Sequence, residues 1–551
     1  MDPAPPTAVG HVKRRWGVLI QKGGGLVICR ALFAAMLLLT GLGVPGAAAE
    51  SDDHSQDEDS TRVFTLDGVL QGTTVGDIRE FLGIPYAAAP TGDLRWMPPQ
   101  PAARRSTTLD ATHFGKHCPQ PEPAATAANA SEDCLFLNVF APKRDDRDDL
   151  NPVMVWIHGG SLVTGKSDDF DPTELIRRGD VTVVTINYRL GALGFLAQPA
   201  LDAEGHKFAN YGLMDQQKAL DWVHHNIRFF GGDPDNVTIF GESAGGQSVT
   251  SHLTAPDSRG LFERAIIESG AYALTLPTRA TAEAQGTAFA ASVGCDSQTA
   301  ACLRAADLGT LIAKEATVYI TTQDGQVLPE SPMQAFASGH FNRTPVLQGS
   351  NHDEYRLFVA GQFDLAGGPL TAAAYQAAIA AFPTIGAANA PQVVAEYPLA
   401  DFPSPDLAYA TAIGDTLFSC SARRSNILLS NEVATFAYEF NDENAPSFLP
   451  PVSFPYGATH AFELSYLFKL SFLPSPNFTA GQQKLANTMK EYWTHFARDG
   501  HPSAAGAPEW PRYRAQADDI LSLVPPRPQL ETNFSSVHHC DFWHSMSPAY
   551  D

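Results

Sequence analysis

A serine set between glycines is the first feature of the sequence that could do covalent chemistry. In Gly241-Glu242-Ser243-Ala244-Gly245-Gly246, the G-x-S-x-G spacing lets a strand turn sharply into a helix without Cβ clashes. That turn holds the Ser243 hydroxyl at the carboxyl edge of a sheet. A serine hydroxyl is a poor nucleophile at its free pKa. Such a site therefore needs a base to take the proton during attack and N–H donors to hold the oxyanion that forms. The pentapeptide alone is only moderately specific; a strand before it and a helix after it give it meaning. Candidate donors stand upstream in His158-Gly159-Gly160-Ser161. Taken alone this is an ordinary Gly-Gly loop, but with Ser243 it becomes a turn that could aim backbone amides at an oxyanion, where each donor is typically worth about 3 kcal/mol.

The elements that must position these residues are legible around them. Val153 to Ile157 is an unbroken apolar run that enters the glycine turn, and Val181 to Ile186 is a second, β-branched run ending in Asn187-Tyr188-Arg189. Both read as central strands buried on two faces. Asn210 to Phe230 carries Leu213, Leu220, Trp222, Val223 and Ile227 among polar residues, as a covering helix does, and Gly231-Gly232-Asp233-Pro234 stops it. Val237 to Phe240 is then a strand before the serine, a helix-compatible stretch follows, and Arg264 to Glu268 is the next strand. This alternation predicts a parallel sheet layered with helices. Beyond Gly270 the chain is richer in Ala, Thr, Pro and Gly, with helix-compatible stretches at Thr281 to Val293 and Leu370 to Ala381 that could cap the sheet. No internal repeat is present.

Residues 1–49 read as a signal peptide. Lys13, Arg14, Arg15, Lys22 and Arg30 precede an apolar run from Ala31 to Val44, then Pro45 and Ala47-Ala48-Ala49, with cleavage expected near Ala49. The run is too short and too interrupted for a stable membrane anchor, so a secreted or periplasmic location is expected. Cleavage would turn 37 basic and 60 acidic residues into 32 and 59, a formal charge of −27, which repels phosphate backbones and excludes nucleic-acid partners. Residues 50–60 are acid-rich and without apolar periodicity, a solvated leader, and 61–551 form the folded domain. Of seven cysteines, Cys29 lies in the leader, and the remaining six, an even number in an exported chain, point to disulfides. Their spacing alone leaves fifteen pairings open. No paired CxxC or histidine cluster marks a zinc site, and no residue pattern calls for a cofactor or assigns an oligomeric state.

A longer series of motifs accompanies the serine. It comprises Phe81-Leu82-Gly83-Ile84-Pro85-Tyr86-Ala87, Leu94-Arg95-Trp96 before Pro98-Pro99, Glu132-Asp133-Cys134-Leu135-Phe136-Leu137-Asn138-Val139, Asn187-Tyr188-Arg189, Asn210-Tyr211-Gly212-Leu213, Asp215-Gln216 and Phe229-Phe230-Gly231-Gly232-Asp233-Pro234. On these residues the chain after Thr61 resembles the type-B carboxylesterases, the family that also contains cholinesterases and some fungal and bile-salt-activated lipases. The resemblance implies an α/β-hydrolase fold: a large, mostly parallel central sheet with helices on both faces and cap-like insertions. It implies a serine carboxylic-ester hydrolase acting through an acyl-enzyme, with a triad in the chain order Ser, Glu, His. The acid falls on Glu354 in Gly349-Ser350-Asn351-His352-Asp353-Glu354, with Asp353 as its local rival, in a loop expected after a strand ending at Val346-Leu347. The base falls on His460, in a loop expected just before an amphipathic helix; His252, His340, His352 and His495 are expected at the surface or in packing, and His538-His539 lie in the tail without such a motif.

By the same resemblance the amides of Gly160, Ser161 and Ala244 would hold the oxyanion, with Glu242 and Ser269 in support. The implied disulfides are Cys118-Cys134, Cys295-Cys302 and Cys420-Cys540. Ser161 departs from the third glycine of many relatives but keeps the amide. The interval from Cys118 to Cys134 holds no aromatic residue, where cholinesterases carry a choline-binding tryptophan, so quaternary-ammonium substrates are not expected. A small to medium ester is the expected partner. A catalytically silent binding or adhesion relative, or a lipase acting on longer acyl chains, are the alternatives.

Overall fold

A computed structural model describes residues 61–546, apart from 123–126, 144–148, 317, 448 and 474. The expected signal peptide and acidic leader lie outside the described residues.

The centre is an eleven-stranded sheet. Its strands are β1 (Thr73–Val75), β2 (Ile78–Pro85), β3 (Phe136–Pro142), β4 (Asn151–Ile157), β5 (Thr182–Ile186), β6 (Gly232–Glu242), β7 (Arg264–Glu268), β8 (Val346–Asn351), β9 (Thr435–Phe440), β10 (Ile520–Leu523) and β11 (Gln529–Glu531). They lie in the order β11-β10-β9-β8-β7-β6-β4-β5-β3-β2-β1. From β10 across to β5 all neighbours are parallel; β11 on one side and β3, β2 and β1 on the other are antiparallel. The mostly parallel sheet expected from the sequence is therefore present, with antiparallel margins.

Strand periodicity explains the unbroken apolar runs, because successive side chains point to opposite faces and both faces are covered. In β4, Val153, Val155 and Ile157 join one core, together with Phe195 of α1 (Gly191–Phe195), Leu220 and Val223 of α2 (Tyr211–Asn226) and Val249 and Leu253 of α3 (Ala244–Thr254). Met154 and Trp156 of the same strand join the other core, with Leu485, Met489, Trp493 and Phe496 of a long helix, Ala480–Asp499. Trp156 packs its ring 4.8 Å from Phe240 and 4.6 Å from Phe468, tying β4 to β6 and to the segment after His460. Polar side chains here would lose hydration on either face, so the runs admit almost none.

Boundaries differ from the sequence reading where tertiary packing decides them. The helix expected over Asn210 to Phe230 ends at Asn226, and Ile227–Phe230 is a tighter final turn closed by Gly231 in the left-handed region. The stretch from Leu370 to Ala381 is helical only from Tyr375. Leu370 is instead buried and donates its amide to Asp406. All three implied disulfides are formed, Cys118–Cys134, Cys295–Cys302 and Cys420–Cys540. The last spans 120 residues, a loop whose closure contributes about 5 kcal/mol in the chain-entropy model. No helix among the described residues is long and apolar enough to cross a membrane.

Candidate active site

The sheet brings the carboxyl ends of β4, β6, β7, β8 and β9 to one edge, the edge at which open α/β sheets place their ligands. Ser243 sits between β6 and α3 with φ 55° and ψ −120°, a conformation that strains any residue with a Cβ and that survives only where its surroundings enforce it. The enforcement comes from its neighbours. A Cβ on Gly241 would stand 2.6 Å from the Ile157 carbonyl oxygen, one on Gly245 would strike the same oxygen, and one on Gly246 would stand 2.7 Å from the Glu268 carbonyl oxygen. The glycines therefore let the turn nest against the ends of β4 and β7, and the Ser243 amide donates to the Glu268 carbonyl at 2.9 Å. Ser243 itself stays partly exposed in otherwise buried surroundings.

The glycine turn after β4 is folded just as tightly. Gly160, Ser161 and Leu162 are consecutive residues with positive φ, at 102°, 59° and 57°. The Ser161 carbonyl accepts from the Tyr319 amide at 3.0 Å and the Leu162 carbonyl from the Gly191 amide at 2.7 Å. With the carbonyls turned to these partners, the amides of Gly160 and Ser161 donate to no protein group among the described residues, and neither does Ala244, the first residue of α3. His158 is buried, its ring stacked 4.5 Å from Tyr188 and its Nδ1–H donating to the Gly159 carbonyl at 2.9 Å. Burial lowers its pKa to about 4, so it holds the turn as a neutral ring.

Glu354 and His460, 106 residues apart, meet at the same edge. The Nδ1–H of His460 donates to Glu354 Oε2 at 2.6 Å. Both side chains are buried, with Glu354 at 1% exposure and His460 at 4%. Glu354 Oε1 accepts the Asn351 amide at 2.8 Å, which fixes the carboxylate against the end of β8. Asp353, the local rival, faces elsewhere: its carboxylate pairs with Arg356 at 2.7 Å and accepts the Ala458 amide at 2.9 Å. Gly349 and Ser350, expected in the loop, belong to β8, which runs through Asn351, and Glu354 stands in the turn after it. The helix after His460 is a single turn, Leu464–Leu467, buried all round rather than amphipathic.

The structure does not form a hydrogen bond between the Ser243 hydroxyl and His460. The Nε2 of His460 instead lies 3.1 Å from Glu242 Oε1, the side chain adjacent to Ser243, without the alignment of a hydrogen bond. Catalytic hydrogen bonds commonly tighten only once substrate is bound. Burial opposes ionisation of His460, but the carboxylates of Glu242 and Glu354 outweigh it and raise its pKa above the ordinary imidazole range. Burial raises Glu242 to about 7, with the Glu354 charge adding to it and the His460 charge opposing.

Sequence reasoning missed part of this cluster. Glu463 is fully buried, held by the Asn351 amide group and pushed far above the usual carboxylate range, by burial first and then by Glu242 and Glu354. Asn351 also donates to the Thr459 carbonyl at 2.8 Å, so it links the acid loop to the base loop. Glu268 is raised to about 8 by burial, while its bond from Trp493 Nε1 at 2.8 Å works against the rise. Glu463 stands three residues after His460 and Asn351 three before Glu354, which is the only signal the chain offers for either. Ser269, expected in support, has φ 49° and donates its amide to Gly349, while its hydroxyl makes no hydrogen bond among the described residues.

The chain is similar over most of its length to known proteins. Residues 59–543 match the model of the carboxylesterase family. The acylcarnitine hydrolase of Mus musculus is 34% identical over 83% of this chain and 87% of its own length. The para-nitrobenzyl esterase of Bacillus subtilis (strain 168) is 34% identical over 84% of this chain and 94% of its own. A solved PNB esterase structure superposes with a TM-score of 0.75 at 32% identity, over 89% of this chain and all of that one.

Proposed function

The chain belongs to the carboxylesterase family and is a carboxylic ester hydrolase acting on small-molecule esters, and from that premise we propose that Ser243, His460 and Glu354 carry the reaction as nucleophile, base and orienting acid. One observation supports this reading above the rest: buried Glu354 holds His460 Nδ1 at 2.6 Å, so Nε2 is the nitrogen turned toward the strained serine turn. In the first half-reaction His460 Nε2 takes the Ser243 proton as Oγ attacks the ester carbonyl. The oxyanion lodges against the amides of Gly160, Ser161 and Ala244, and the proton passes to the departing alcohol. Water, deprotonated by the same imidazole, then releases the acid from the acyl-serine. Glu354 stabilises the imidazolium formed in both steps without itself taking the proton.

The expected substrates are small to medium esters. Three disulfides support export to an oxidising compartment, with mass analysis of the mature N-terminus expected to start near residue 50. Hydrolysis of an activated aryl ester should show a burst equal to the enzyme concentration. Ser243→Ala should abolish the burst and lower turnover by about 10⁴-fold or more; turnover equal to the parent would refute the assignment.

A further inference from the structure

Beside the acid loop, side chains from widely separated stretches converge. His538, buried in the C-terminal segment, sets its Nδ1 2.6 Å from Asp415 Oδ1 and its Nε2 2.6 Å from Glu439 Oε1. His352 has its Nδ1 3.1 Å from Asp353 Oδ1, and the two imidazole rings are 5.3 Å apart. One ligand atom from each of His352, Glu439 and His538 lies within 4.8 Å of the other two.

Each imidazole has its Nδ1 engaged by a carboxylate, which leaves Nε2 as the nitrogen to meet Glu439. Proteins fix the tautomer and direction of metal-ligating histidines in this way. Both orienting carboxylates are themselves anchored, Asp353 by Arg356 and the Ala458 amide, and Asp415 by the Tyr397 hydroxyl at 2.8 Å. Glu531 stands against Glu439 with a buried Oε2 that finds no partner among the described residues. Asp353, Asp415, Glu439 and Glu531 thus face one permanent cation, Arg356, and the two imidazoles, which carry positive charge here only when protonated. A divalent cation could take the place of those protons among the carboxylates.

We propose that His352, Glu439 and His538 bind a divalent cation of the zinc class and so fasten the C-terminal segment to the acid loop. Two imidazole nitrogens with one carboxylate form a zinc-type donor set rather than the all-oxygen set that calcium or magnesium prefers. Tetrahedral bonds of about 2.0 to 2.2 Å space ligand atoms roughly 3.4 Å apart. The His538 to Glu439 contact therefore opens slightly while His352 draws inward. A cavity of about 70 Å³ against His352 and His538 reaches the same cluster and touches Glu354. No CxxC or histidine run betrays such a site in the sequence, because its ligands lie at positions 352, 439 and 538 and meet only through the sheet and the Cys420–Cys540 bridge.

The test uses the tag-free mature chain, stripped with chelator and titrated with Zn²⁺ by calorimetry, with metal analysis after dialysis and thermal unfolding beside it. The expected result is one Zn²⁺ per chain in the presence of excess Mg²⁺ and Ca²⁺, and a higher Tm with Zn²⁺ than with chelator. His352→Ala, at a partly exposed position that tolerates truncation, should weaken Zn²⁺ binding by at least about tenfold and abolish the Tm difference, while His340→Ala at an exposed site should change neither. Glu439→Gln gives the same readout from a second ligand. Absence of stoichiometric Zn²⁺, or an affinity untouched by His352→Ala, would overturn the proposal and leave His538 as an imidazolium bridging two carboxylates. Because metal content and Tm are read independently of ester turnover, this outcome is separate from that of the Ser243 test.

Discussion

The two halves of the catalytic edge are held in place by different physics. The serine and oxyanion turns, after β6 and β4, are positioned by backbone sterics. Gly241, Gly245 and Gly246 nest against the carbonyl oxygens of Ile157 and Glu268, where only glycine leaves room, while Ser243, Gly160, Ser161 and Leu162 are held at positive φ. The acid and base loops, after β8 and β9, contain few such constraints and are positioned by buried polar groups: Glu354 and Glu242 flank His460, and Asn351 holds Glu463 and joins the two loops. Steric positioning is stiff and insensitive to pH. Electrostatic positioning is adjustable, and it sets the titration of the base as well as its place.

Substitutions on each side should therefore fail in different ways. The largest effect is expected from Gly245→Ala, whose Cβ overlaps the Ile157 carbonyl. Urea unfolding should show a loss of about 3 kcal/mol or more, at every pH at which the protein is folded. Asn351→Ala should cost about 1 to 3 kcal/mol, because Glu463 and the Thr459 carbonyl lose a buried donor, and kcat should fall with it as the base loop loosens. Glu242→Gln should leave the fold intact and act on pH dependence. In the proposed mechanism the neutral imidazole is the active form, so activity should be lost as pH falls through the raised His460 pKa. Removing the Glu242 charge lowers that pKa and moves the acid limb of kcat/KM to lower pH. With Glu242 itself titrating at about 7, the parent limb belongs to the pair, and the variant should show a single ionisation. An unmoved limb would break the contrast between the two regions. The smallest effect is expected from Ser161→Gly, which removes a Cβ at φ 59° but keeps the amide. Stability should shift by less than about 1 kcal/mol, and kcat/KM should stay within about threefold, under roughly 0.7 kcal/mol.

The same contrast explains what was legible in the sequence. Glycine constraints are local, so Gly241, Ser243 and Gly245 announce their turn in five consecutive residues, and two-faced burial announces the central strands in their unbroken apolar runs. The acid and base were reached through resemblance, because a lone Glu354 or His460 has no local signature. Glu463 and Asn351 were missed although both stand within three residues of the triad. Their importance lies in burial next to other carboxylates, and burial is a property of the packed chain. His538 shows the same limit more sharply, since nothing around it in the sequence distinguishes a buried bridge from a tail residue. Asn342, within one of the five Asn-x-Ser/Thr sites, is likewise buried and donates to the His252 and Ala255 carbonyls, so its amide is not free for glycosylation in the folded chain.

In the proposed mechanism one strained hydroxyl, activated across the edge of the sheet, carries the acyl group. The most direct test is covalent trapping with an aryl phosphonate ester followed by intact mass and peptide mapping. One adduct per chain is expected on the peptide carrying Ser243, formed in step with the loss of esterase activity and much more slowly in His460→Ala. Inactivation without an adduct on Ser243, or labelling as fast without His460 as with it, would contradict that mechanism.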